Sequence, residues 1–170
     1  MKLRKLVLSI MALCLAVPAM AQMSGGRGKA EATVNGKTIT IDYGRPSLQG
    51  RDMLSQAQPG MVWRLGMNQA TQIETTGELM IAGKTLPAGK YTLWAKKVGD
   101  KSWVLAFHPK TGIWGAPELK EGFVAELPLT MGVAKDSAEQ LTISLSDMKG
   151  KAGIQIQWGT ALLSGSFGVK

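Results

Sequence analysis

The chain has 170 residues, a formal net charge of +8, one cysteine and one histidine. Charged residues are a modest 19%, and the longest basic run is Lys96–Lys97, so there is no stripe of the kind that grips nucleic acid. With no second histidine and only Cys14, neither a thiolate zinc site nor a multi-histidine metal site can be built.

The first residues are Met1-Lys2-Leu3-Arg4-Lys5, followed by an apolar run from Leu6 to Met20 and a small-x-small site at Ala19–Ala21. A basic start, a short apolar core and such a site are the marks of a secretory signal peptide, here residues 1–21. The run is too short for a comfortable transmembrane span, and no later segment is long and apolar enough for one. Cleavage after Ala21 removes Cys14 and three basic residues, which leaves a charge of +5, no disulfide and no cysteine nucleophile. The expected location is the periplasm or the cell surface. The glycine-rich stretch 22–29 then reads as a flexible leader, and 30–170 as a single β domain.

Ala30–Val34, Asn35-Gly36 and Lys37–Tyr43 form a hairpin signal, because Asn-Gly suits the positive φ angles of a type I′ turn. Ile39, Ile41 and Tyr43 alternate with Thr38, Thr40 and Asp42, which predicts one buried face.

A long irregular stretch follows, at about 44–69. Pro46 cannot donate to a sheet ladder, and Leu48–Ala57 has room for a short helix ending before Pro59. Leu48, Met53, Leu54, Met61, Val62, Trp63, Leu65 and Met67 give the stretch too much apolar surface for disorder. It is expected to be an ordered loop.

Strands resume at Thr71–Thr75 and Glu78–Ala82, read as one pair about Thr76-Gly77. Lys90–Lys96 and Ser102–His108 come next. Pro109–Gly122 is a second irregular segment. Phe123–Thr130, Glu139–Ser146, Lys151–Trp158 and Ala161–Val169 complete the set. Nine or ten short strands at close spacing predict an all-β fold, a single antiparallel, jelly-roll-like β-sandwich.

Several chemical motifs fail on spacing. Gly36-Lys37-Thr38 and Gly83-Lys84-Thr85 lack the upstream glycine of a phosphate loop and sit in strand turns. No Gly-x-Ser-x-Gly elbow occurs, and no carboxylate pair has a spacing that dictates adjacency. His108 stands alone as a general base, with Asp42, Asp52 and Glu118 as conceivable orienting partners.

The arginine and tryptophan residues of the long loop carry the sharper signal. Arg45, Arg51 and Arg64 each offer a planar fork for carboxylate, sulfate or phosphate. With Tyr43, Trp63, Asn68 and Trp114 they form the candidate ligand-binding set. The competing structural reading has the arginines bonding carbonyls that no ladder reaches. Trp103 and Trp158 lie in alternating strands and are expected in the core. Trp114, between loop glycines, is the best exposed candidate for stacking on a sugar ring.

These segments also carry a resemblance. Ile41–Arg51, Val62–Thr71, Ile81–Tyr91 and Ile156–Gly159 are similar to a bacterial family called domain of unknown function 2911, over nearly the whole exported part. The resemblance implies an exported protein and brings no activity with it. The family pattern often has Ala at Met67 and Asn-Lys at His108-Pro109, which weakens a catalytic role for His108. The expectation is a non-enzymatic binding or interaction module that uses the loop and no cofactor or metal. Its partner would be an anionic or carbohydrate-like small ligand, or an envelope protein. The alternatives are a hydrolase of exported substrates working through His108 or a carboxylate, and a structural envelope component.

Overall fold

The computed structural model describes residues 26–114 and 121–170; the expected signal peptide with Cys14, the first half of the leader, and Glu118 lie outside them. The described chain contains ten strands and no helix. They are β1 (Arg27–Val34), β2 (Lys37–Gly44), β3 (Val62–Trp63), β4 (Gln72–Thr75) and β5 (Leu79–Ile81). They continue with β6 (Lys84–Leu86), β7 (Gly89–Lys97), β8 (Ser102–His108), β9 (Ala125–Asp147) and β10 (Lys151–Val169).

The fold is all-β and antiparallel. Hydrogen bonds join the strands into one open sheet in the order β1-β2-β4-β7-β8-β9-β10-β5-β6, with β3 on β7. The hydrogen bonding therefore does not divide into the two sheets expected of a sandwich. β1 and β2 meet at Asn35-Gly36, whose φ angles of 50° and 73° are those of the expected type I′ turn. β1 starts at Arg27, earlier than expected, and pairs Gly28 with Tyr43 and Lys29 with Asp42.

Two expectations are corrected. β4 and β5 do not form a hairpin: β4 lies between β2 and β7, whereas β5 pairs with β6 and β10. The chain crosses at Gly77, where an added Cβ would stand 2.4 Å from the carbonyl oxygen of Lys170. Backbone bonds Glu78 N–H to Lys170 O and Lys170 N–H to Glu78 O fix that crossing at 2.8 and 2.9 Å.

The four expected late strands are two long ones. β9 pairs with β8 over Ala125–Thr130 and with β10 over Thr130–Val133 and again over Ala138–Asp147. Register shifts at Gln157/Gly159 and Gly159/Ala161 interrupt the β9–β10 ladder, and such irregularities bend a strand.

The core is built from the inward faces of these strands. Trp103 (1% exposed) and Trp158 (6%) are buried as expected, and Phe107 meets Phe167 edge-on at 6.5 Å. The middle of β7 is buried on both faces, so Trp94 joins Leu93 at no exposure.

Candidate functional site

The long loop begins as an extension of β2 that runs beside the distal half of β9. Leu141 N–H donates to Pro46 O (3.0 Å), Leu48 N–H donates to Glu139 O (2.7 Å), and Ser47 bridges Gln140. Two side chains lengthen this seam. The Tyr43 hydroxyl accepts from Ile143 N–H (3.0 Å) and donates to Ile143 O (3.4 Å). Arg45 Nε donates to Leu141 O (3.2 Å), with its Nη2 at 3.5 Å from Thr142 Oγ1.

Both side chains pass over Gly28. A Cβ there would lie 2.6 Å from Tyr43 Cζ and 2.8 Å from Arg45 Cδ. A glycine in β1 thus gives the ring and the guanidinium stem their way through to β9.

The expected helix at Leu48–Ala57 is a single turn instead. Asp52 Oδ1 accepts from Ser55 N–H (3.0 Å), and Gln56 N–H reaches Asp52 O at 3.3 Å before the chain turns away. An aspartate side chain competes for the backbone donors that a helix would use, which favours such turns. The loop is nevertheless anchored: Leu54 and Leu65 are buried (1% and 0% exposed). Gly60 N–H donates to Lys97 O (2.8 Å), and Lys97 N–H donates to Met61 O (2.9 Å).

Its far end folds back on its beginning. Leu65 and Asn68 take φ angles of 51° and 61°, and Thr71 Oγ1 donates to Leu65 O. A Cβ on Gly44 would stand 2.2 Å from the Met67 carbonyl oxygen, and one on Gly66 3.0 Å from the Gly44 carbonyl oxygen. The turn at 65–68 is therefore locked against the end of β2 by two glycines that nothing larger can replace in place.

The candidate residues accordingly separate. Tyr43 and Arg45 bond the edge of β9. Arg51 is exposed, and its Nη2 lies 3.4 Å from Gln49 Oε1. Arg64 is half-buried. Trp63 stacks on Trp158 with ring centres 5.7 Å apart and planes 4° from parallel. Asn68 is exposed at a left-handed turn position. Trp114 is 64% exposed and bridges Gln69, while Ala70 N–H donates to Ile113 O (3.1 Å). Two short backbone segments thus hold an exposed indole beside Gln69.

His108 has a local duty. Its Nδ1 accepts from Lys110 N–H at 2.9 Å, and its ring meets Phe123 edge-on at 5.7 Å. Burial, and secondarily the Lys110 ammonium, hold its pKa below the usual histidine value. The neutral ring accepts at Nδ1, so it carries its proton on Nε2. Among the described residues, no group of three or more His, Cys, Asp or Glu side chains is placed to hold a metal ion. No helix among them is long and apolar enough to cross a membrane.

A residue set that the sequence did not single out lines a cleft of about 440 Å³ on β9 and β10. Ser146, Gln155, Ser164 and Ser166 supply its polar groups. They are scattered serines and a glutamine with no motif spacing. Only the bend in β10 brings positions 155 and 164 to one cleft.

A family model described as a protein of unknown function (DUF2911) matches residues 26–166. No curated protein and no solved structure matches.

Proposed function

We propose that this chain, which belongs to the DUF2911 family of proteins of unknown function, is an exported, non-catalytic binding module. Its recognition surface is centred on Trp114, in the segment that follows β8, where that residue bridges Gln69 at the end of the long loop. The observation that carries this reading is the exposure of that indole, 64%, on a backbone bridged to Gln69. A large apolar ring held out by paired backbone, with Gln69 beside it, suits the face of a sugar ring and the hydroxyls at its edge. Arg51, exposed on the long loop, is a cation that an extended acidic sugar chain could meet. Export is supported by the basic start, apolar run and small-residue site of residues 1–21.

Hexagalacturonate, an acidic oligosaccharide, tests this surface. Indole fluorescence is expected to shift on titration of the purified protein, and Trp114→Ala is expected to remove the binding while leaving the melting temperature in place. A Trp114→Ala variant that binds as the parent does would overturn the reading.

A further inference from the structure

We infer that the cleft on β9 and β10 is a second, separate ligand site, built for a neutral polyhydroxylated ligand such as one or two units of an uncharged glycan. The inference does not rest on the Trp114 surface.

Volume is the first support. At about 440 Å³ the cleft falls within the roughly 300–1,000 Å³ usual for small-ligand sites. Its lining is the second. Ser146, Ser164 and Ser166 bring three hydroxyls, Gln155 brings a carboxamide, and Met148, 55% exposed, brings apolar surface. Hydroxyls and carboxamides both donate and accept, which matches the mixed donor and acceptor rim of a sugar. The thioether matches its C–H face.

Charge is the third. No lining residue is ionisable, so a charged ligand would give up its hydration there and gain no counter-charge. Availability is the fourth. Among the described residues, these three serines and Gln155 make no side-chain hydrogen bond within the protein. Their capacity is therefore unspent, whereas Tyr43, Arg45 and Thr142 have already committed theirs to the seam between loop and β9.

The geometry that makes the cleft is also specific. Residues 153–155 and 164–166 belong to one strand, and they line one cleft because β10 is irregular between Gln157 and Ala161. Gly153 sits where a Cβ would meet Met148 Sδ at 2.5 Å and Ser146 Oγ at 2.8 Å. Glycine there allows both side chains to lie across the strand and wall the cleft.

The test is calorimetric titration in the Trp114→Ala background, which removes the loop surface and so keeps the two sites distinguishable. The probes are maltohexaose, cellohexaose and chitohexaose, with hexagalacturonate as the acidic counterpart. At least one neutral hexasaccharide is expected to bind, and hexagalacturonate at least tenfold more weakly. Adding Gln155→Ala, or Ser164→Ala with Ser166→Ala, is expected to weaken the neutral ligand at least tenfold with no change in melting temperature. The inference is overturned if no neutral hexasaccharide binds the Trp114→Ala chain. It is equally overturned if the cleft variants bind as that chain does, or if the acidic probe is preferred.

Discussion

The hydroxyl of Tyr43 stands between the N–H and the C=O of Ile143, accepting from one at 3.0 Å and donating to the other at 3.4 Å. One side chain thereby does what a neighbouring strand would do for that residue of β9. Tyr43→Phe keeps the ring and removes only the hydroxyl. Two backbone groups at a buried position then lose their partner, which costs about 1–3 kcal/mol. Urea denaturation is expected to show a lower midpoint at unchanged slope. A Tyr43→Phe protein as stable as the parent would show that water serves Ile143 equally well.

Gly28 and Gly44 protect that arrangement in different ways. At Gly44 the obstacle to a Cβ is backbone, the Met67 carbonyl oxygen at 2.2 Å, and it cannot step aside without undoing the turn. Gly44→Ala is expected to cost about 3 kcal/mol or more, at the upper end of overpacking changes. At Gly28 the obstacles are side chains, the Tyr43 ring and the Arg45 stem, and the ring can swing off at the expense of its Ile143 bonds. Gly28→Ala and Tyr43→Phe should therefore be less than additive in a double-mutant cycle, since both lose the same bonds. Full additivity would mean that the ring does not yield.

Local features of the fold were open to reading from residue order. Asn35-Gly36 dictated its turn, alternation placed Trp103 and Trp158 inside, and the apolar content of 48–67 called for an ordered loop. What was hidden depended on distant partners. Arg45 and Tyr43 act on residues 96 and 100 positions away, and no local pattern reports that. The middle of β9 escaped detection because Gly132, Val133 and Lys135–Ser137 are all exposed. A ribbon wetted on both faces has no alternation to display. The β4–β5 pairing failed because either leg would suit a hairpin, and the choice was made by Lys170 closing on Glu78. The cleft serines carried no signal, since only the bend in β10 assembles them.

Asn68 can be assigned by substitution. Its φ of 61° is one that asparagine tolerates and that glycine adopts freely. Asn68→Gly is expected to leave stability within about 0.5 kcal/mol, whereas Asn68→Val should cost about 1–2 kcal/mol for the left-handed backbone. If the side chain serves the recognition surface, Asn68→Gly will also weaken hexagalacturonate. Unchanged affinity in a stable Asn68→Gly protein would confine Asn68 to the turn.

The pH dependence of stability turns on His108, the one histidine of the chain. Its folded-state pKa is lowered from 6.5, first by burial and then by Lys110, so in the window just below 6.5 the unfolded chain binds the proton that the folded chain refuses. Stability from this group is complete above 6.5 and is lost as the pH falls through that value towards the folded pKa. Protonation would also turn Nδ1 from acceptor to donor and oppose the Lys110 N–H it now accepts from. His108→Gln keeps an acceptor within reach and does not titrate. Denaturation midpoints measured from pH 8 to pH 5 should fall for the parent and stay flatter for His108→Gln. Parallel curves for the two proteins would place the acid sensitivity among the carboxylates instead.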